Sequence, residues 1–135
     1  MTTVTDDAIR YVVRSARSVD QAQEAVTAAA QERKFGVLHH YDLKQTLKGK
    51  GFDLDPEVRV LEICNPAFAD RVLKAEVAMN MALPCRISVW HEDGTTRVGM
   101  IRPKAMLEML TENPQLREIA GQVEGLMVEM IDAAR

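Results

Sequence analysis

The stretch Val58-Arg59-Val60-Leu61-Glu62-Ile63-Cys64 sets the tightest limit on what this chain can become. In an extended backbone Val58 and Val60 fall on one side, and Leu61 and Ile63 on the other, so both faces carry large apolar groups. A strand apolar on both faces belongs inside a sheet rather than at its rim. The stretch stops at Asn65-Pro66. Asparagine is a strong helix N-cap, and proline suits the first helical position, where no backbone N–H is required. The prediction is a central strand that turns at once into a helix, with a thiol at the joint.

The neighbouring segments read in the same terms. Ile9 to Ser15 alternates as a strand. Ser18 with Gln21 fits a capping box, and Ala22, Val26, Ala29 and Ala30 form one apolar stripe that ends near Lys34. Phe35 to Tyr41 is a second strand. Asp42 with Gln45 repeats the capping logic for a short helix closed by Gly49 and Gly51, and Asp53 to Pro56 is a loop. After Pro66 the buried side of the helix is Phe68, Ala69, Val72, Leu73 and Val77, with a break predicted near Asn80. Cys85 to His91 is the fourth strand. Glu92-Asp93-Gly94 turns it back into an antiparallel fifth, Thr96 to Ile101.

Pro103 opens a helix carrying Met106, Met109 and Leu110, and Asn113-Pro114 opens the last one. Its residues Leu116, Ala120, Val123, Met127, Met130 and Ala134 recur at heptad spacing. Such a helix packs on its own domain or a twin, or forms a seam with a partner.

The predicted class is α/β (α+β) in two layers: a mixed sheet of about five strands in β-α-β, β-α-β-β order, helices on one face and an extra C-terminal helix. Residues 1–112 form the domain, and residues 113–135 form an amphipathic helix packed on it or on a dimer partner. The matching element order of residues 9–41 and 58–91 suggests an internal repeat. The uncovered sheet face points to a homodimer.

Composition narrows the function classes. A chain of 135 residues, 47% apolar, makes one domain that needs no disulfide or metal staple. Net charge -3 and pI 5.6 argue against nucleic acid as a partner. Neither a signal pattern at Met1 to Asp7 nor a membrane-length apolar run is present, so a cytoplasmic location with reduced thiols is expected.

The run Val60-Leu61-Glu62-Ile63-Cys64-Asn65-Pro66-Ala67, followed by Leu83-Pro84-Cys85-Arg86-Ile87, resembles the domain of unknown function 302 family. Asp42-Leu43-Lys44-Gln45-Thr46-Leu47-Lys48-Gly49-Lys50-Gly51 fits the same pattern, and the resemblance spans roughly residues 8 to 111, with the C-terminal helix outside it as an extension. It implies a small two-layer α/β domain, often dimeric, with no established activity or cofactor. No catalytic residue carries over from it.

Cys64 is the sharpest candidate for chemistry. It ends a strand where α/β sheets favour ligands, and the positive end of the following helix can increase thiolate. Glu62, two residues back on the same face, is a base or a repelling charge. The plainer reading makes Cys64 a small buried apolar residue. A disulfide with Cys85 is disfavoured if the intervening helix is a crossover. A ten-residue helix spans about 15 Å, whereas bridged α-carbons lie within about 7 Å; a break near Asn80 would let the chain double back.

Arg86 suits an anionic ligand or an ion pair with Glu62 or Glu57. The amides after Asn65 suit an anion too, although the asparagine cap uses part of that capacity and Pro66 donates nothing. His39 and His40 point to opposite faces, and with His91 they show no metal-ligand spacing. The late methionines, Met79, Met81, Met100, Met106, Met109, Met127 and Met130, line an adaptable cleft or fill the core.

No phosphate loop, Gly-x-Ser-x-Gly elbow or Cys-x-x-Cys is present. The leading expectation is a binding or regulatory module holding a small apolar or anionic ligand near Cys64, Glu62, Asn65, Arg86 and Cys85, with enzymatic activity the less favoured reading and left open. No cofactor or metal is assigned. One alternative is a thiol-dependent redox enzyme or sensor using Cys64; another is a structural homo-oligomeric module.

Overall fold

The computed structural model describes residues 3–135. The elements run β1 (Thr3–Asp6), β2 (Arg10–Ser15), α1 (Val19–Glu32), β3 (Gly36–Asp42), α2 (Leu43–Lys48), β4 (Val58–Cys64), α3 (Pro66–Ala75), a 3₁₀ segment (Val77–Ala82), β5 (Cys85–Glu92), β6 (Thr95–Ile101), α4 (Pro103–Leu110) and α5 (Pro114–Ala133). The strands form a six-stranded sheet in the order β1-β2-β6-β5-β4-β3. As the two apolar faces of β4 require, it lies inside the sheet.

Every pairing is antiparallel. The expected mixed sheet of about five strands is therefore corrected on two counts. Thr3–Asp6 adds an edge strand against β2 that alternation alone did not reveal in so short a polar run. The connection from β4 to β5 is also no crossover. Helix α3 ends at Ala75, and the 3₁₀ segment brings the chain back, so β5 lies beside β4 and runs against it. By contrast, α1 carries the chain from β2 to β3, four positions away in the sheet. The two halves thus share an element order but not a topology, and no internal repeat exists in space.

The local signals act as the residue chemistry demands. Ser18 and Gln21 satisfy each other's amides in a capping box at the start of α1. Asp42, Asn65 and Asn113 each accept hydrogen bonds from the first turns of α2, α3 and α5. Asp93 at φ 51° and Gly94 at φ 77° make the tight β5–β6 hairpin, in which both central residues need positive φ.

One face of the sheet carries the core. Tyr11, Val13, Leu61, Ile63, Ile87, Val89, Val98 and Met100 are buried there with α1 and α5. The seam of α5 faces inward: Leu116, Ala120, Val123, Met127, Met130 and Ala134 are all buried. Its far end is tied to β2. The Tyr11 hydroxyl donates to Asp132 at 2.5 Å, Arg135 donates to Tyr11 at 2.9 Å, and Ser15 donates to the Ala134 carbonyl. The opposite face of the sheet carries Glu62, Arg86, Ser88 and Trp90, alternating with the core positions of β4 and β5. No described helix is long and apolar enough to cross a membrane.

Candidate functional site

The strand-to-helix joint at Cys64 opens onto an apolar cavity of about 270 Å³. Elements far apart in the chain build it. Leu38, at the irregularity in the β3–β4 register, lies on one side. Phe68 and Val72 of α3 form another wall, with Phe68 tilted against Phe35 at 6.4 Å between ring centres. Met106 and Leu107 of α4 and Ala120 and Val123 of α5 close it. No charged or histidine side chain is among the lining residues.

The antiparallel return places the two cysteines together. Ile63 of β4 lies opposite Cys85 of β5, so Cys64 and Cys85 sit at the same end of neighbouring strands, and both line the cavity. The crossover expectation put them at opposite ends of the sheet; the short α3 and the 3₁₀ return overturn it. They remain free thiols. Burial pushes the Cys85 thiol up to about 11, and the neighbouring Cys64 adds to the rise.

The polar candidates separate from this cavity. Glu62 points to the open face, where its carboxylate accepts from the Tyr41 hydroxyl at 2.6 Å. This hydrogen bond holds the Tyr41 hydroxyl above its usual range, with partial desolvation adding to it. Glu62 does not line the cavity, so it is no base beside a thiol there. Arg86 is exposed and lies directly across from Glu62. The expected ion pair is not made: among the described residues Arg86 has no carboxylate within salt-bridge reach, and Glu57 pairs with Lys44 and Arg59 instead. Asn65 lines the cavity, but its side chain accepts from the amides of Ala67 at 3.0 Å and Phe68 at 3.2 Å. Those donors are spent on the cap, which leaves little at this helix start for an anion.

The predicted α3 stripe holds only in part. Val72 is buried, but Val77 lies past the helix end and is exposed. The methionines divide: Met79, Met100, Met127 and Met130 are core, Met106 lines the cavity, and Met81 and Met109 are exposed. His39 stacks on Tyr41 at 6.1 Å, and His91 lies in a separate polar cleft with Ser18 and Arg59. Among the described residues no three or more histidine, cysteine, aspartate or glutamate side chains gather to hold a metal.

Sequence reasoning found the two thiols, Asn65 and, among the methionines offered for a cleft, Met106 of α4, but missed Leu107 and the α5 wall. The available signal was the seam itself, since Ala120 is a small residue in a row of large ones and leaves space.

The family model for the domain of unknown function DUF302 matches residues 11–134. This chain belongs to the DUF302 family. The match takes in α5, which the motif-based resemblance over residues 8 to 111 had left outside. The fold is similar to the crystal structure of an uncharacterized conserved DUF302 protein from Bacillus stearothermophilus, with 31% sequence identity and a TM-score of 0.90. That likeness covers 96% of this chain and 100% of the other. No curated protein matches this DUF302 chain.

Proposed function

We propose that this DUF302 domain is a binding or regulatory module that takes a small apolar ligand into the cavity beside Cys64, as a cytoplasmic homodimer. The observation that carries the reading is the cavity. Apolar voids of about 150 Å³ stay dry and accept a benzene-sized guest, and this one offers about 270 Å³. Its lining presents no buried charge to turn an apolar group away. The spent helix-start amides favour the apolar ligand over the anionic one.

A thiol enzyme would need donors for a developing charge and an activated nucleophile. The Asn65 cap occupies the nearest amides, and Glu62 faces away.

The test is a thermal-shift and native mass-spectrometry series with linear alkanols, aromatic alcohols and short fatty acids. Binding at a hundred times Kd stabilises by about 2.7 kcal/mol. Ala69→Leu, which places extra carbons in the cavity wall, is expected to abolish the shift while the variant remains folded. A shift that survives this substitution, or no shift with any probe, sinks the reading.

A further inference from the structure

The open face of the sheet holds two opposite charges that the chain does not join. Glu62 of β4 and Arg86 of β5 are direct partners in register, a placement in which opposite charges ordinarily pair. Glu62 instead accepts from Tyr41 on β3, and among the described residues Arg86 has no carboxylate within salt-bridge reach. The registers fix what surrounds them. Tyr41, Val60, Ser88, Gly99 and Val12 form one row across β3, β4, β5, β6 and β2. Glu62 and Arg86 lie in the row on one side of it, and Val58 and Trp90 in the row on the other.

Two copies of one sheet face meet about a two-fold axis that lies between the layers and parallel to them. Aligned layers keep their strands within about 30° of each other and stand about 10 Å apart, a gap that arginine and glutamate side chains bridge. The axis therefore runs along the strands or across them. An axis across the strands, along the Glu62 and Arg86 row, sets each charge over its own copy, like on like. An axis along the strands, midway between β4 and β5, exchanges them. Glu62 then lies over the partner's Arg86, and Arg86 over the partner's Glu62. The same axis sets Ser88 over the partner's Val60 and Trp90 over the partner's Val58. Tyr41 falls over the partner's Gly99, where a Val12 methyl leans across the backbone. The two large aromatic side chains thus meet smaller residues rather than each other.

We propose that a second copy of this chain docks on the open face about that axis, held in register by two symmetric Glu62–Arg86 ion pairs between protomers. The proposal rests on the homodimer reading and adds the partner's orientation and the charges that select it. Charge complementarity across an interface sets register and partner choice more than it adds affinity.

The experiment measures dimer dissociation of the full chain by analytical ultracentrifugation and the composition of mixtures by native mass spectrometry. Arg86→Glu sets carboxylate over carboxylate at both symmetric contacts, and Glu62→Arg sets guanidinium over guanidinium. Each is expected to weaken its homodimer roughly 100-fold or more. Mixing the two variants re-forms both contacts, so a heterodimer with one copy of each is expected at close to wild-type affinity. Each reversal also places like charges on neighbouring strands of its own chain, which mixing cannot relieve. The heterodimer therefore separates a pair between protomers from a defect within one.

A wild-type dimer that both reversals leave intact, or variants that mix with no preference for the heterodimer, overturns this arrangement and leaves the homodimer reading standing. A wild-type chain that is monomeric at high concentration overturns both. If either reversal does not fold, Arg86→Gln decides: it is expected to weaken the dimer roughly 10-fold, and unchanged affinity overturns the arrangement.

Discussion

Cys85 shows how position alone sets a side chain's chemistry. The same residue in an unfolded chain ionises near the ordinary thiol value of 9.0, but in the fold burial and Cys64 raise it to about 11. A raised acid favours the folded state while protonated. Its contribution is therefore fully present below about pH 9 and is lost as pH rises through about 11, a change on the order of 2–3 kcal/mol. Urea melts of wild type and Cys85→Val across pH 8 to 11 (roughly the window set by the two pKa values) should separate as pH rises, wild type losing stability that the non-titrating variant keeps. Parallel curves would show that Cys85 does not carry the effect. Gly99 is a steric counterpart. A β-carbon there would lie 2.7 Å from Val12 Cγ2 and 3.0 Å from the Tyr11 carbonyl oxygen, across the β2–β6 ladder. Gly99→Ala is expected to cost roughly 1–3 kcal/mol, as overpacking does. Adding Val12→Ala should recover part of the loss in the urea midpoint, because it removes the closest atom.

At the scale of elements, α5 decides most. Its heptad seam left open whether it served its own domain or a partner. In the fold it seals the core: Leu116, Met127, Met130 and Ile131 are fully buried. Met130→Ala should cost about 2–5 kcal/mol in chemical denaturation, whereas Gln122→Ala on the exposed side should stay within about 0.5 kcal/mol. Equal small effects at both positions would mean that α5 is a peripheral attachment. Removing Pro114 to Arg135 is expected to unfold the chain rather than merely change its oligomeric state, visible as loss of near-ultraviolet circular dichroism. The connection between β4 and β5 is the other deciding element. It converts a presumed crossover into a return, and so brings the thiols to one cavity.

For the whole molecule, the helices cover one face of the sheet, and the other carries Tyr41, Glu62, Arg86, Ser88 and Trp90. The proposed homodimer uses that open face. Ser88 lies near its middle, between Val60 and Gly99 in register. Ser88→Arg puts an unpaired charge into such an interface and should halve the mass seen by light scattering. A wild-type chain that is already monomeric at high concentration would end the dimer proposal.

The features legible in the residues alone are local. The two apolar faces of β4, the asparagine and serine caps, the prolines at helix starts and the Asp93-Gly94 hairpin were all legible, because each rests on residues within a few positions of one another. Alternation set which side of each strand faces the core, and the family motif was readable around Cys64 and Cys85. Strand direction was only half legible: a break was expected near Asn80, but the helix ends at Ala75, in a run with no glycine or proline to mark the place, and whether the chain then returns depends on tertiary packing. The cavity was not legible either. Its walls come from β3, α3, α4 and α5, residues as far apart in the chain as Leu38 and Val123, and only tertiary packing decides that the space between them is left unfilled.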